Sequence, residues 1–165
     1  MQEFRFKMLE DETFAVVGYS GDGKDVVIPD THWGKPVTVL FDSLFSGHPE
    51  IESVRIPDTV TDIGEFVFDG CGSLRRIRLP GSLEHIWPYA FARCGIEEIT
   101  IPEKIRTIAP FTFKDCKNLK KITAEPGLKN CCGYAFSGCD SLAELCFSPG
   151  TKLSPLAFES KEQRS

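Results

Sequence analysis

This sequence has little that would draw it to nucleic acid or to lipid. Nineteen Lys and Arg face 24 Asp and Glu, a net charge of −5, so the general attraction for phosphate backbones or anionic membranes is missing. No window approaches the roughly 18 uncharged apolar residues of a membrane-spanning helix, which argues against insertion. Residues 1–12, MQEFRFKMLEDE, place acids where a secretory signal would have its apolar run, and on that reading the chain is cytoplasmic. Phosphate cradles are missing too. Gly18, Gly21 and Gly23 sit between strand-like runs, with no helix following to supply the N-terminus such a loop needs. Tyr and Trp number only three and two, yet there are 13 Phe and seven Cys. The 165 residues, 41% of them hydrophobic, are enough for one domain with a continuous core.

What is present is a repeat. Ile51-Glu-Ser-Val54-Arg-Ile56-Pro57, Leu74-Arg-Arg-Ile77-Arg-Leu79-Pro80 and Ile96-Glu-Glu-Ile99-Thr-Ile101-Pro102 share one pattern, and weaker copies end at Pro126 and Pro149. The last apolar position recurs at residues 56, 79, 101, 124 and 147, in steps of 23, 22, 23 and 23. Phe45, Phe68, Phe91, Phe113, Phe136 and Phe158 keep step with it, often after a small residue such as Ala90, Ala135 or Ala157. The apolar-x-apolar alternation is a short strand with one face buried, and the proline after it turns the chain out of the sheet. One unit cannot cover its own apolar side chains, but stacked units can. The pattern predicts an α/β right-handed solenoid with a parallel sheet of about six short strands on one face. Irregular or short helical turns are expected on the other.

The strand ending in Ile-Pro, the Ile or Leu pair after it, Ala-Phe, and then Cys followed after two further residues by Leu resemble the BspA-like bacterial branch of the leucine-rich repeat family, over roughly Val26 to Phe158. The resemblance implies a repeat scaffold with adhesion or host-contact roles at a bacterial surface. The chain departs from better-known leucine-rich repeats in lacking the asparagine that follows their strand, so the function of those receptors is not carried over.

The ends differ from the middle. Residues 1–25 read as a capping hairpin built from FRFKML and TFAVVGY, residues 26–158 as the solenoid, and residues 159–165 as a frayed polar tail. The stretch from His32 to Val37 reads as an expanded first connection. No strand follows Phe158, so the last turn looks uncapped, an edge on which a second chain could add end to end.

Cys71, Cys94, Cys116 and Cys139 each lie three residues after the repeat Phe, with His48 in that place one turn earlier. Equivalent positions form a line with about 4.8 Å between rungs rather than a tetrahedron, so no metal site is expected. A buried, reduced cysteine ladder is the favoured reading, with disulfides the alternative. Cys131 falls on a core position, while Cys132 and Cys146 are expected nearer solvent. The histidines lie at least two turns from both, too far to act as base, so no catalytic residue and no cofactor is assigned.

If Val54 and Ile56 point inward, the same register turns Arg55, Arg76, Arg78, Glu98, Thr100, Lys121 and Thr123 outward, and these are the candidate binding residues. Arg55, Arg76 and Arg78 are the one cluster of like charge, suited to carboxylate, sulfate or phosphate. The bland alternative pairs Arg76 or Arg78 with Glu98 across adjacent strands. The functional expectation is a non-catalytic module presenting its sheet face to a protein or glycan. A cytoplasmic adaptor or assembly protein is the first alternative, and a cysteine-dependent enzyme using Cys132 or Cys146 the remote one.

Overall fold

The structure, a computed structural model, describes residues 1–160. It opens with a hairpin. β1 (Glu3–Met8) runs antiparallel to β2 (Phe14–Ser20), and β2 then pairs in parallel with a later strand, which joins the hairpin to the solenoid. β3 (Asp25–Val27) is the first rung of the predicted sheet face, followed by β4 (Thr31–His32) and β5 (Lys35–Leu40). β4 and β5 make a tight hairpin whose two tip residues, Trp33 and Gly34, both have positive φ, 50° and 75°. This is the expanded first connection.

From there the turns contribute rungs to two parallel ladders. One ladder, on the predicted sheet face, holds β6 (Ser53–Arg55), β9 (Glu98–Ile101), β11 (Lys121–Ala124) and β13 (Glu144–Cys146). The other holds the two-residue strands β7 (Asp62–Ile63), β8 (His85–Ile86), β10 (Thr107–Ile108), β12 (Asn130–Cys131) and β14 (Lys152–Leu153). This second ladder corrects the expectation of helical turns: among the described residues there is no helix, and the class is all-β rather than α/β. The physical reason lies in the leg after each proline. Its two apolar residues, such as Val60 and Ile63, are three apart, a spacing a helix and a bent extended leg both satisfy. The leg is too short to repay helix nucleation.

The interior is a column of aromatic rings. Phe45, Phe68, Phe91, Phe113 and Phe136 are fully buried, with successive centroids 5.5, 5.1, 5.5 and 6.1 Å apart and near-parallel planes. Each of these Phe N–H groups donates to the carbonyl of the residue just before the next Phe, for example Phe68 to Ala90 at 2.8 Å and Phe113 to Ala135 at 3.0 Å. Each ring contributes about 1.5–3 kcal/mol by leaving water. Residues 161–165 of the expected tail lie outside the described residues.

The regularity fails at one turn. The bend after each ladder cysteine has two residues before the next Leu, except at Cys94-Gly95-Ile96, where it has one. Here both ladders open. No backbone hydrogen bond joins β8 to β10. On the sheet face residues 74–79 form no strand, and a lone bond from the N–H of Glu97, just before β9, to the Arg75 carbonyl (2.9 Å) links them to the next turn. The predicted continuous sheet of about six strands is therefore two shorter ones, β3–β6 and β9–β11–β13. Arg55 and Arg78 come to equivalent positions beside this break, and like charges placed opposite each other oppose strand pairing.

Candidate functional site

Of the seven residues expected on the sheet face, four come together. Arg76, Arg78, Glu98 and Thr100 line one groove of about 600 Å³ where residues 74–79 leave the ladder. Its floor is apolar, with Val54, Ile77 and Ile99 among the lining residues. The other three stand apart. Arg55 is exposed at the edge of β6, while Lys121 and Thr123 lie on β11, where Lys121 Nζ is 3.8 Å from Glu144.

The arginines do not make the ion pair with Glu98 that the bland alternative requires. Neither Arg76 nor Arg78 forms an ion pair with Glu98, although Glu98 and Glu125 line the same groove; among the described residues Arg78 has one ion pair, with Asp58 at 3.7 Å, both side chains being more than 70% exposed. Such a solvated contact contributes under about 1 kcal/mol. Arg75, outside the groove, takes Glu97 at 3.9 Å. Arg76 and Arg78 thus share the groove with the hydroxyls of Ser53 and Thr100 and with the carboxylates of Glu98 and Glu125, and guanidinium groups not committed to those carboxylates can hold an anionic group by paired hydrogen bonds.

The cysteine column is buried, and all seven cysteines are free thiols. Three ladder thiols donate to the repeat Phe carbonyl one turn back: Cys71 to Phe45 (3.4 Å), Cys116 to Phe91 (2.9 Å) and Cys139 to Phe113 (3.0 Å). Cys94, beside the short bend, instead faces Leu74 O at 4.0 Å. Burial pushes the Cys94 and Cys131 thiols up to about 12. Thiols held protonated in this way are poor nucleophiles and poor metal ligands. His48, at the head of the column, bonds Glu50 through Nδ1 at 2.8 Å. Cys132 is half-buried and Cys146 exposed, as the register predicts.

Two features escaped the sequence reading. One is an outer aromatic column, Phe66, Tyr89, Phe111 and Tyr134, with rings stacked 4.6, 4.9 and 5.2 Å apart. All four residues have left-handed φ, 59°, 63°, 61° and 65°. Their spacing of 23, 22 and 23 is visible in the sequence, but the mixture of Phe and Tyr hides it. The other is a pair of cavities on the second ladder, about 490 and 730 Å³, which share Glu65 and Trp87. No repeat signal marks it, because the residues in that column differ at every turn.

Comparison with known proteins agrees with this architecture. Residues 38–163 match the model of the BspA type leucine rich repeat region, in six copies. A leucine-rich repeat protein of T. pallidum has a similar fold, with a TM-score of 0.78 and 23% identity over 98% of this chain and 90% of that one. A leucine-rich cell surface protein of Faecalibacterium prausnitzii aligns with a TM-score of 0.64 and 24% identity, over 95% of this chain but 54% of its own length. A leucine-rich repeat protein of Bacteroides capillosus gives a TM-score of 0.64 and 29% identity over 74% of this chain and 94% of that one. No curated protein matches the chain.

Proposed function

Because the chain belongs to the BspA-type leucine-rich repeat family, a repeat scaffold rather than a catalytic family, we propose that it is a non-catalytic binding module. Its partner is a protein or glycan bearing carboxylate, sulfate or phosphate groups, taken into the groove of Arg76 and Arg78. One observation carries this reading: the two arginines stand at a break in the sheet, over apolar residues, without the Glu98 pairing that would neutralise them. Arg55 extends the same positive row. The likeness in fold to a cell surface protein supports a role in adhesion.

The test uses immobilised dextran sulfate as the probe. The parent chain is retained at about 0.1 M salt, where charges within about 10 Å still attract. The triple variant Arg55→Ala, Arg76→Ala, Arg78→Ala elutes early with an unchanged melting temperature. Equal retention of the two proteins moves the site off this face.

A further inference from the structure

On the second ladder, the residue just after the apolar rung position is Phe41, Gly64 and Trp87 on three successive turns. Phe41 and Trp87 are 48% and 49% exposed, a large apolar area for the chain to leave uncovered. Gly64 between them is buried, its N–H donating to the Leu40 carbonyl at 2.8 Å, and a Cβ there would collide with the Asp42 carboxylate. So no side chain fills the gap. Two rung spacings, about 9.6 Å, separate the two aromatic positions, which leaves a slot for one incoming side chain. This is the 490 Å³ cavity.

The charges around it are sorted. Asp42, Asp62 and Glu65 line the slot. Asp42 accepts the Glu65 N–H at 2.9 Å, Asp62 accepts the Thr61 hydroxyl at 2.6 Å, and His85 Nδ1 stands 3.2 Å from Asp62. Beyond Trp87 the groove continues into the 730 Å³ cavity, where Lys104 and Arg106 supply positive charge on the side away from the shared Glu65 and Glu84. Arg106 is tethered by a 3.0 Å bond to the Gly127 carbonyl. This second cavity occupies the place where β8 and β10 have lost their ladder hydrogen bonds.

We propose that this groove binds an extended polypeptide segment of a partner, whose Lys or Arg side chain enters between Phe41 and Trp87. An acidic side chain about three residues away on the same segment meets Lys104 and Arg106. The aromatic faces attract a cation, the three carboxylates favour it over a neutral group, and Lys104 and Arg106, one rung beyond Trp87, offer an acidic side chain its partners. Two rungs, about 9.6 Å, equal about three residues of extended chain at about 3.3 Å each. The arginine groove of the sheet face plays no part, so the two sites stand or fall separately.

Trp33→Phe leaves Trp87 as the single indole, and its fluorescence is the readout. The probe is the peptide Ac-Arg-Gly-Gly-Glu-NH2. Saturable change is expected, with affinity about tenfold weaker for Ac-Gln-Gly-Gly-Gln-NH2 and about tenfold weaker again in Phe41→Ala. Melting temperature and dextran sulfate retention should stay unchanged in that variant. Equal binding of the two peptides overturns the proposal. So does silence toward both, and so does saturation by neutral xylohexaose in place of the peptide, which would make the slot a sugar site.

Discussion

Gly95 packs so closely against Gly72 that a Cβ on it would collide with the Gly72 carbonyl oxygen. The contact sits where the bend after Cys94 is one residue short, and the Gly95 N–H donates to the Cys71 carbonyl at 3.0 Å. Backbone on backbone has no flexible end to give way. Gly95→Ala should therefore cost about 2–4 kcal/mol, at the severe end for one methyl group. Gly81→Ala, with nothing within 4 Å of the added carbon, should stay within about 0.5 kcal/mol of the parent. Urea midpoints of the two variants decide the matter; equal midpoints would mean that the short bend is loosely held.

The buried thiols set a pH dependence. Burial raises Cys71, Cys94 and Cys131, the latter two to about 12 from an ordinary 9.0, and a hydrogen bond with Cys139 together with burial raises Cys116. For an acid whose folded-state value is raised, the folded chain keeps a proton that the unfolded chain releases. The stabilisation is complete below pH 9 and is lost as pH climbs from about 9 toward about 12. Each such thiol removes up to about 1.4 kcal/mol per pH unit across that window. The urea midpoint should be flat between about pH 7 and 8.5 and fall above about pH 9, with a shallower fall in Cys94→Ala. In the native state near pH 8, iodoacetamide should label Cys132 and Cys146 and spare the ladder until urea is added.

The ladder thiols are not equivalent. Cys116→Ser replaces a thiol that donates to Phe91 O at 2.9 Å, and a serine hydroxyl can donate to the same carbonyl. Cys94 has a 4.0 Å contact with Leu74 O, too long for a hydroxyl on a shorter bond to use. Cys94→Ser should cost roughly 1–3 kcal/mol, because its hydroxyl proton finds no acceptor at hydrogen-bond distance in a buried site, and Cys116→Ser clearly less. Equal losses would show the two sites to be equally dry and equally unpartnered.

How much of this was legible in the sequence depends on whether a position repeats its residue type. Phe at 45, 68, 91, 113 and 136 and Cys at 71, 94, 116 and 139 are the same residue counted over and over, so the core column and the thiol column could be read directly. The rungs of the sheet face followed from Val54, Ile99 and Ile122. The second ladder did not, because two apolar residues three apart fit a helical turn as well as a short strand. The step of 22 after Leu79 was visible as a number. Its effect, opening both ladders and leaving Arg76 and Arg78 without Glu98, depends on backbone hydrogen bonds no spacing encodes. Phe41, Gly64 and Trp87 share a column only once the turns are aligned in space, and three unlike residues give no signal before that.

The outer aromatic column reverses the usual ranking of glycine and alanine. Tyr89 has φ 63° and its ring is stacked between Phe66 at 4.6 Å and Phe111 at 4.9 Å. A left-handed backbone costs an L-residue about 1–2 kcal/mol, and here stacking on two neighbours, about 0.5–1.5 kcal/mol for each pair, offsets it. Tyr89→Ala removes both stacks and keeps the strain. Tyr89→Gly removes the same stacks and relieves the strain, though it frees the unfolded chain. Both variants should be less stable than the parent, with the glycine variant about 1 kcal/mol more stable than the alanine variant. The reverse order in a thermal melt would mean that the backbone at Tyr89 is relaxed and that the stack alone holds the column in line.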